Sequence, residues 1–474
     1  MKKKIAFISG NFNIIHAGHI RLFKFARSLA ENLIIGLYSD KLSNESYINE
    51  NLRFDSLNEL QIIDKCLIIR SSLEKIVKKI KPDFIIKGLE FQNAYNEEAE
   101  YIDSIDCKMV FSSGEISFSS SKLMEKIFSP VESFKLPNDY LIRHKISKPN
   151  IVKIINNFQK KKILVIGDLI IDKYINCEPT GLSREEQNLV YSYIGKRKYL
   201  GGAGIVAAHA SILGSESCLI TICGDDDEKL FAISKLNEYK VKHKIYSSSA
   251  HNTIVKTRYR HENNSVFRLN HLQKITLSAD LRLKILNYIK KIIKNFDILI
   301  FSDFNYGCLD DILINELINL ARKNNLFVAA DSQTSSQFGD IGKYKKCDLI
   351  TPTEYEARAS VSDNQSGLVV LSEKLRSHTK VNNILIKQGK DGLFIHKFSD
   401  QSKTHLNDSI MPLNKNPVDI AGAGDSMLIA SSLSMAISND IWISALFGSM
   451  AAGIQISREG NIPINKNEIL SLLK

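Results

Sequence analysis

No stretch of the 474-residue sequence stays apolar for the ~18 residues that a bilayer-spanning helix requires, so no membrane partner is expected. The opening Met-Lys-Lys-Lys-Ile-Ala-Phe-Ile mimics the charged end of a secretory leader. Its apolar run stops at Ser9-Gly10-Asn11, too short for a leader's hydrophobic segment. The seven cysteines are odd in number and lack paired CxxC spacing. A disulfide framework or zinc site is therefore not expected, and a reducing cytoplasm is. Neither a solenoid-period repeat nor a low-complexity tract occurs.

What is present is ordinary for a globular chain: 44% hydrophobic and 24% charged residues, which excludes wholesale disorder. The net charge of +11 raises the question of an anionic partner. Its distribution answers against nucleic acid. Residues 1–130 carry 18 basic and 17 acidic side chains, and residues 163–474 carry 37 and 33. The 32 residues between them carry 8 and 2, which is more than half of the excess. A nucleic-acid groove needs a basic face on a folded domain, not a short basic stretch.

Two segments share a strand-then-glycine design: Lys4–Ser9 followed by Gly10, and Lys162–Asp168 around Gly167. Both have the composition of a first, buried parallel strand. Further strands are expected at Leu33–Tyr38, Phe84–Ile86, Ile298–Phe301, Leu326–Ala330 and Ile384–Ile386, separated by helix-length amphipathic stretches. This alternation predicts α/β architecture in two halves. The expected division is 1–130, a basic linker over 131–160 with a helix within Ile146–Phe158, and 161–474.

In the first half, Gly10-Asn11-Phe12-Asn13-Ile14-Ile15-His16-Ala17-Gly18-His19 sits where a strand gives way to a helix. A helix N-terminus offers unpaired N–H groups and positive potential to phosphate. Gly18 permits close backbone approach, and His16 and His19, three apart, can face one anion. Two imidazoles could then stabilise charge on an α-phosphate and a departing pyrophosphate. The plainer reading is two satisfied surface histidines, and the placement after strand and glycine argues against it.

In the second half, Asp419-Ile-Ala-Gly422-Ala423-Gly424-Asp425-Ser426 precedes the small-residue helical run Met427–Ala436. Such glycines let successive N–H groups converge on an anion, and Asp425 could accept a proton from an attacking hydroxyl. A structural glycine turn is the plainer alternative.

Gly10–His19 resembles the GxFDxxHxGH motif of the cytidylyltransferase-like nucleotidyltransferases. Lys87-Gly88 and Ser119-Ser120-Ser121 resemble that family's strand-borne Lys-Gly and its Ser/Thr-rich helix start, in the same order. The resemblance implies a Rossmann-like domain. Gly10, Phe12, Gly18, Ser119, Ser120 and Ser121 would bind nucleotide, and His16, His19 and Lys87 would act on its phosphates. Asn13 stands where the family has Asp, and Gln61 where it often has Arg, with Arg53 nearby.

The second half resembles the ribokinase-like (PfkB-type) sugar kinases, and most closely the kinase module of the bifunctional heptose-phosphate kinase/adenylyltransferases. The resemblance implies a ribokinase-like α/β fold with Asp168, Asp172 and Asp303 at the sugar and Gly201-Gly202 admitting it. Lys256, Arg258 and Arg268 would hold the substrate's own phosphate. Gly422, Ala423 and Gly424 would form the anion hole with Asp425 as base, and Glu356 would organise Mg²⁺. Ile205 and Thr353 replace two asparagines of the family pattern, and Asp331-Ser332-Gln333 replaces Asp-Pro-Lys.

The expected function is bifunctional. ATP or another nucleoside triphosphate would phosphorylate a sugar phosphate, most simply heptose 7-phosphate, at its anomeric hydroxyl, and nucleotidyl transfer to a sugar 1-phosphate would follow. The expected partners are small sugar phosphates and nucleotides, and a homodimer is compatible with the pattern. The known bifunctional enzymes carry the kinase first, and here the order is reversed. The alternative is a nucleotide- or sugar-phosphate-binding regulator with one or both halves catalytically degraded.

Overall fold

The apolar runs become buried parallel strands. In the computed structural model, residues 4–15, 17–43, 46–88, 102–105, 107–112, 134 and 136–473 are described, except 184, 187, 249–250, 263, 272–274, 335–338 and 400–403. The chain divides into two compact units, Met1–Glu132 and Ser133–Lys474.

The first unit holds a five-stranded sheet in the order Lys65–Ile69, Asn32–Tyr38, Ile5–Gly10, Phe84–Gly88 and Lys108–Ser112. All neighbours are parallel. The strand order reverses beside Ile5–Gly10, and in open α/β sheets that is where a ligand crevice opens. Phe7 and Ile85 pack on one face, while Ala6, Ile8 and Ile86 pack on the other.

The second unit is built on a nine-stranded sheet. Seven parallel strands run in the order Lys242–Ser248, Glu216–Gly224, Lys162–Gly167, Ile298–Asp303, Phe327–Ser332, Leu349–Ile350 and Asn383–Lys387. Leu393–Ser399 and Thr404–Ile410 extend it antiparallel. Alternate residues feed two helical layers: Ile163, Val165, Ile298 and Ile300 enter one core, and Leu164, Ile166, Leu299 and Phe301 the other. Burial on both faces explains the continuous apolar runs.

A separate four-stranded sheet follows the order Asn264–His271, Ile254–His261, Leu169–Leu182 and Leu189–Gly202. The sequence reading contains no such sheet. Its outer strands are largely exposed although they carry Leu189, Val190, Tyr193, Ile194, Val266, Phe267 and Leu269, so they show neither a continuous apolar run nor a buried face.

The basic stretch expected as a linker packs as part of the second unit from Asn138 onward. Helices Asn138–Arg143 and Lys148–Asn156 bury Tyr140, Leu141, Ile151, Ile154 and Ile155 in its core. Phe158 stacks obliquely on Phe447 at 5.6 Å, and the Tyr140 hydroxyl donates to the Trp442 carbonyl. Arg143 and His144 pair with Asp408, so part of the basic excess is internal ion pairing. The amphipathic helix in this segment needed a partner face, and the second unit supplies it.

Phe158→Ala should therefore lower the stability of the second unit by about 3–5 kcal/mol. Ile142→Ala, at a side chain 76% exposed, should change it by less than ~0.5 kcal/mol. Urea unfolding of the intact protein, followed by Trp442 fluorescence, measures both; equal effects would contradict the packing described.

Candidate active site

In the first unit, Gly10 ends the central strand and Phe12 turns the chain with φ 47°. A Cβ at Gly10 would sit 3.0 Å from the Phe12 ring, so a larger residue there would press on that ring. Phe12 meets the His19 ring edge-on at 5.1 Å, and Phe23 stacks behind it, at the start of helix Ala17–Leu29. This wedge fixes His19 at the crevice. Lys87 lies half-buried on the neighbouring strand Phe84–Gly88. Gly18 falls in the helix's first turn. His16, Ser119, Ser120 and Ser121 lie outside the described residues.

Two departures from the family pattern take on structural roles. Asn13 is buried, and its Oδ1 accepts the Tyr47 and Ile48 N–H groups at 3.0 and 3.4 Å. Arg53 is buried and donates to Ile48 O, Asn11 O and Asp40 Oδ1, each at 2.6 Å. It is a pin through the loop behind the crevice, not a cation offered to a nucleotide. Gln61 lies exposed in the turn after helix Glu50–Asn58.

In the second unit a cleft of about 400 Å³ lies between the glycine turn and the four-stranded sheet. Asp172, Gly202, Lys256, Arg258, Arg268, Gly422, Gly424 and Asp425 all line it, residues separated by up to 253 positions in the chain. Gly422 has φ 76° and caps helix Ala423–Ser438. A Cβ there would meet Asn461 Oδ1 at 2.2 Å, so glycine is required twice over. No side chain caps this helix among the described residues, which leaves its first N–H groups facing the cleft. Ala423 opens the helix.

Asp425 lies in the helix's first turn, buried. Its carboxyl is pushed up to about 7, first by burial and then by Asp331; Lys387 opposes this, Asp172 adds to it, and Lys256 offsets it. Gln333 Nε2 donates to Asp425 Oδ1 at 3.1 Å, and Lys387 Nζ to Asp331 Oδ2 at 2.7 Å.

Lys256, Arg258 and Arg260 alternate along strand Ile254–His261 and so share one face. Arg258 stands in register with Arg268 on the next strand. Like charges directly opposite one another repel, and this arrangement is suited to an anion lying between them. Arg258 also pairs with Asp172, whose other oxygen accepts from Asn461 at 2.8 Å. Arg260 pairs with Asp419 at 3.2 Å, and Lys256 lies 4.6 Å from the centre of the Phe304 ring.

Asp168, Gly201, Asp303 and Glu356 do not line the cleft. Asp168 is buried, and its carboxylate accepts the N–H groups of Phe304, Tyr306 and Cys308. It shapes the loop Phe304–Cys308. Asp303 is buried against the Tyr344 hydroxyl and the Lys343 ammonium. Glu356 closes a capping box with Thr353, its two oxygens taken by the N–H groups of Thr334 and Thr353 at 2.7 Å. A Cβ at Gly201 would meet Asp172 Oδ2 at 2.4 Å.

No cluster of three or more His, Cys, Asp or Glu among the described residues could hold a metal. With Glu356 already satisfied, the cleft offers no cage for Mg²⁺. It fits only an ion that enters on a nucleotide's phosphates.

Residues 160–467 match the model of the pfkB family carbohydrate kinases. The chain belongs to that family. Residues 7–129 match the cytidylyltransferase-like model, so the nucleotidyltransferase part precedes the kinase, and the protein is a transferase. The bifunctional protein HldE of Helicobacter pylori strain HPAG1 is 30% identical over 321 residues, 66% of this chain and 66% of that protein. The bifunctional protein HldE of Blochmanniella floridana is 27% identical over 329 residues, 68% and 65% of the two chains. The match thus spans 66% or less of either relative. The ribokinase of Arabidopsis thaliana, solved with ribose and ATP, superposes with a TM-score of 0.52 at 18% identity, covering 66% of this chain and 99% of its own. That of Giardia lamblia gives 0.53 at 18% identity, covering 66% and 98%. These establish the ribokinase-like fold of the kinase.

Sequence reasoning assigned no role to Arg260, Asp419, Lys387 or Asn461 of the kinase. Arg260 was legible as the third member of a period-two basic face. Lys387 and Asn461 carry no local signal.

Glu356→Ala should strand two N–H groups and cost the kinase about 1–3 kcal/mol, with Glu356→Gln costing less. Chemical denaturation checks this; an unchanged midpoint would contradict the capping role.

Proposed function

We propose that the chain makes a nucleotide-activated sugar in two steps, through a kinase domain over 161–474 and a nucleotidyltransferase domain over 1–130. The carrying observation is that one cleft holds both a strand pair bearing four cations and a bare helix N-terminus with a buried carboxylate. A sugar phosphate spans these two ends. Its own phosphate lies on Lys256, Arg258, Arg260 and Arg268, and its reactive hydroxyl at Asp425.

The transferred phosphoryl group of ATP lies against the helix N-terminus at Gly422–Asp425, which no side chain caps among the described residues. The sugar oxygen attacks phosphorus, its proton passes to Asp425, the bond to the leaving oxygen breaks, and ADP departs. Mg²⁺ would enter on the nucleotide and neutralise phosphoryl charge there. The motif resemblance and the HldE relatives support heptose 7-phosphate as substrate and its anomeric hydroxyl as acceptor. After removal of the other phosphate elsewhere, His16, His19 and Lys87 serve nucleotidyl transfer to the sugar 1-phosphate, with Ser119–Ser121 holding phosphate and pyrophosphate leaving. The buried free cysteines favour a reducing, cytoplasmic setting.

ADP release measured across a panel of sugar phosphates tests the kinase. Asp425→Asn should lower turnover about 10²–10⁴-fold while ATP still binds. In the parent, the rate should fall as the pH drops through about 7, because protonated Asp425 cannot accept a proton. Full turnover in the Asp425→Asn variant would remove Asp425 from the chemistry.

A further inference from the structure

Behind the proposed base lies a polar bridge built on one amide side chain. Gln333 follows strand Phe327–Ser332 and is fixed by its backbone: its N–H donates to Asp303 O at 2.7 Å, and its carbonyl accepts from Asn305 Nδ2 at 3.3 Å. Its side-chain amide reaches two carboxylates. Nε2 lies 3.1 Å from Asp425 Oδ1 and 3.4 Å from Asp331 Oδ2. Ionised carboxylates only accept, so the amide must turn its NH₂ group towards them. On the far side, Lys387 Nζ donates to the same Asp331 Oδ2 at 2.7 Å.

We propose that Gln333 is a positioning residue for the base: by bridging Asp425 to the Lys387–Asp331 ion pair, it fixes Oδ1 and leaves Oδ2 for the substrate hydroxyl. This rests on the reading of Asp425 as the base. No other hydrogen bond to the Asp425 carboxylate occurs among the described residues, so the amide alone sets its rotation. Ala423 N–H lies 3.5 Å from Ile420 O, and Ser426 N–H is committed to Gly422 O, so the neighbouring helix turn supplies no substitute. The lysine is equally specific in place. Its Nζ lies 3.3 Å from where a Cβ on Gly424 would stand, directly beneath the glycine turn.

The bridge also controls when the base is ready. The charged groups around Asp425 are Asp331 and Lys387 from the large sheet, and Asp172 and Lys256 from the small one. A donor from Gln333 favours the ionised carboxylate. Removing the donor therefore raises the pH needed for activity, and replacing it with a cation lowers that pH.

The test compares pH–rate profiles of the parent, Gln333→Met and Gln333→Lys with the ¹³C carboxyl titration of Asp425 in substrate-free protein, assigned by its loss in Asp425→Asn. Gln333→Met should lose about tenfold in kcat, with both KM values little changed, and move the acid limb and the carboxyl titration upward. Gln333→Lys should recover turnover and move both downward. Titrations that coincide in all three proteins, or that shift the same way in both variants, would overturn the proposal. Opposite carboxyl shifts in a protein that phosphorylates no sugar would uphold the bridge and sink the kinase reading instead.

Discussion

Two carboxylates and one ammonium are buried together behind the kinase cleft, and their charge balance governs what surrounds them. Asp331 and Asp425 are both buried, and burial raises the proton affinity of each. An isolated buried carboxylate would simply stay protonated. Lys387 is held protonated against its own burial by Asp331, Glu356 and Asp425. The cluster therefore leaves Asp425 balanced near neutrality, the condition a general base needs.

The scaffold delivers these groups from strand ends. Asp331 and Lys387 close two parallel strands of the large sheet, and Asp425 opens the helix after the glycine turn. The smaller sheet brings cations from the opposite side. Arg258 and Arg268 face each other across one strand pair, tolerable because Asp172 neutralises one of them. The cleft is thus acidic at the glycine turn and basic on the strand pair. The first unit follows the same economy with fewer charges: Phe12 and Phe23 fix His19, while Arg53 is spent on the loop behind it.

Much of this was legible in the sequence wherever chemistry and local structure coincide. The two strand-glycine openings, the alternation of strands and helices and the GAGD turn each carry a backbone requirement that only certain residues meet. The structure gathers Asp425, Asp172 and the alternating Lys256 and Arg258 at one cleft. Asp168, Asp303 and Glu356 do not line it; a motif names a residue without saying which atoms it satisfies. Each is consumed by backbone N–H groups or a buried ion pair. Thr353-Glu354-Tyr355-Glu356 did carry its own structural signal, the spacing of a capping box. Lys387, Gln333 and Asn461 were illegible because their roles exist only through contacts made across the chain. The basic segment after residue 131 illustrates the same point. Its charge and prolines suggested a linker with a short helix, and the apolar face of that helix packs on the second unit's core.

On the proposed function, one cleft holds a sugar phosphate by its existing phosphate and presents a second hydroxyl to Asp425. ³¹P NMR of the products formed from ATP and heptose 7-phosphate tests this. The predicted result is a bisphosphate that keeps its original phosphorus signal and gains a new one coupled to the anomeric proton. ADP formed with inorganic phosphate alone, or a new phosphate at any site with the original one displaced, would contradict it.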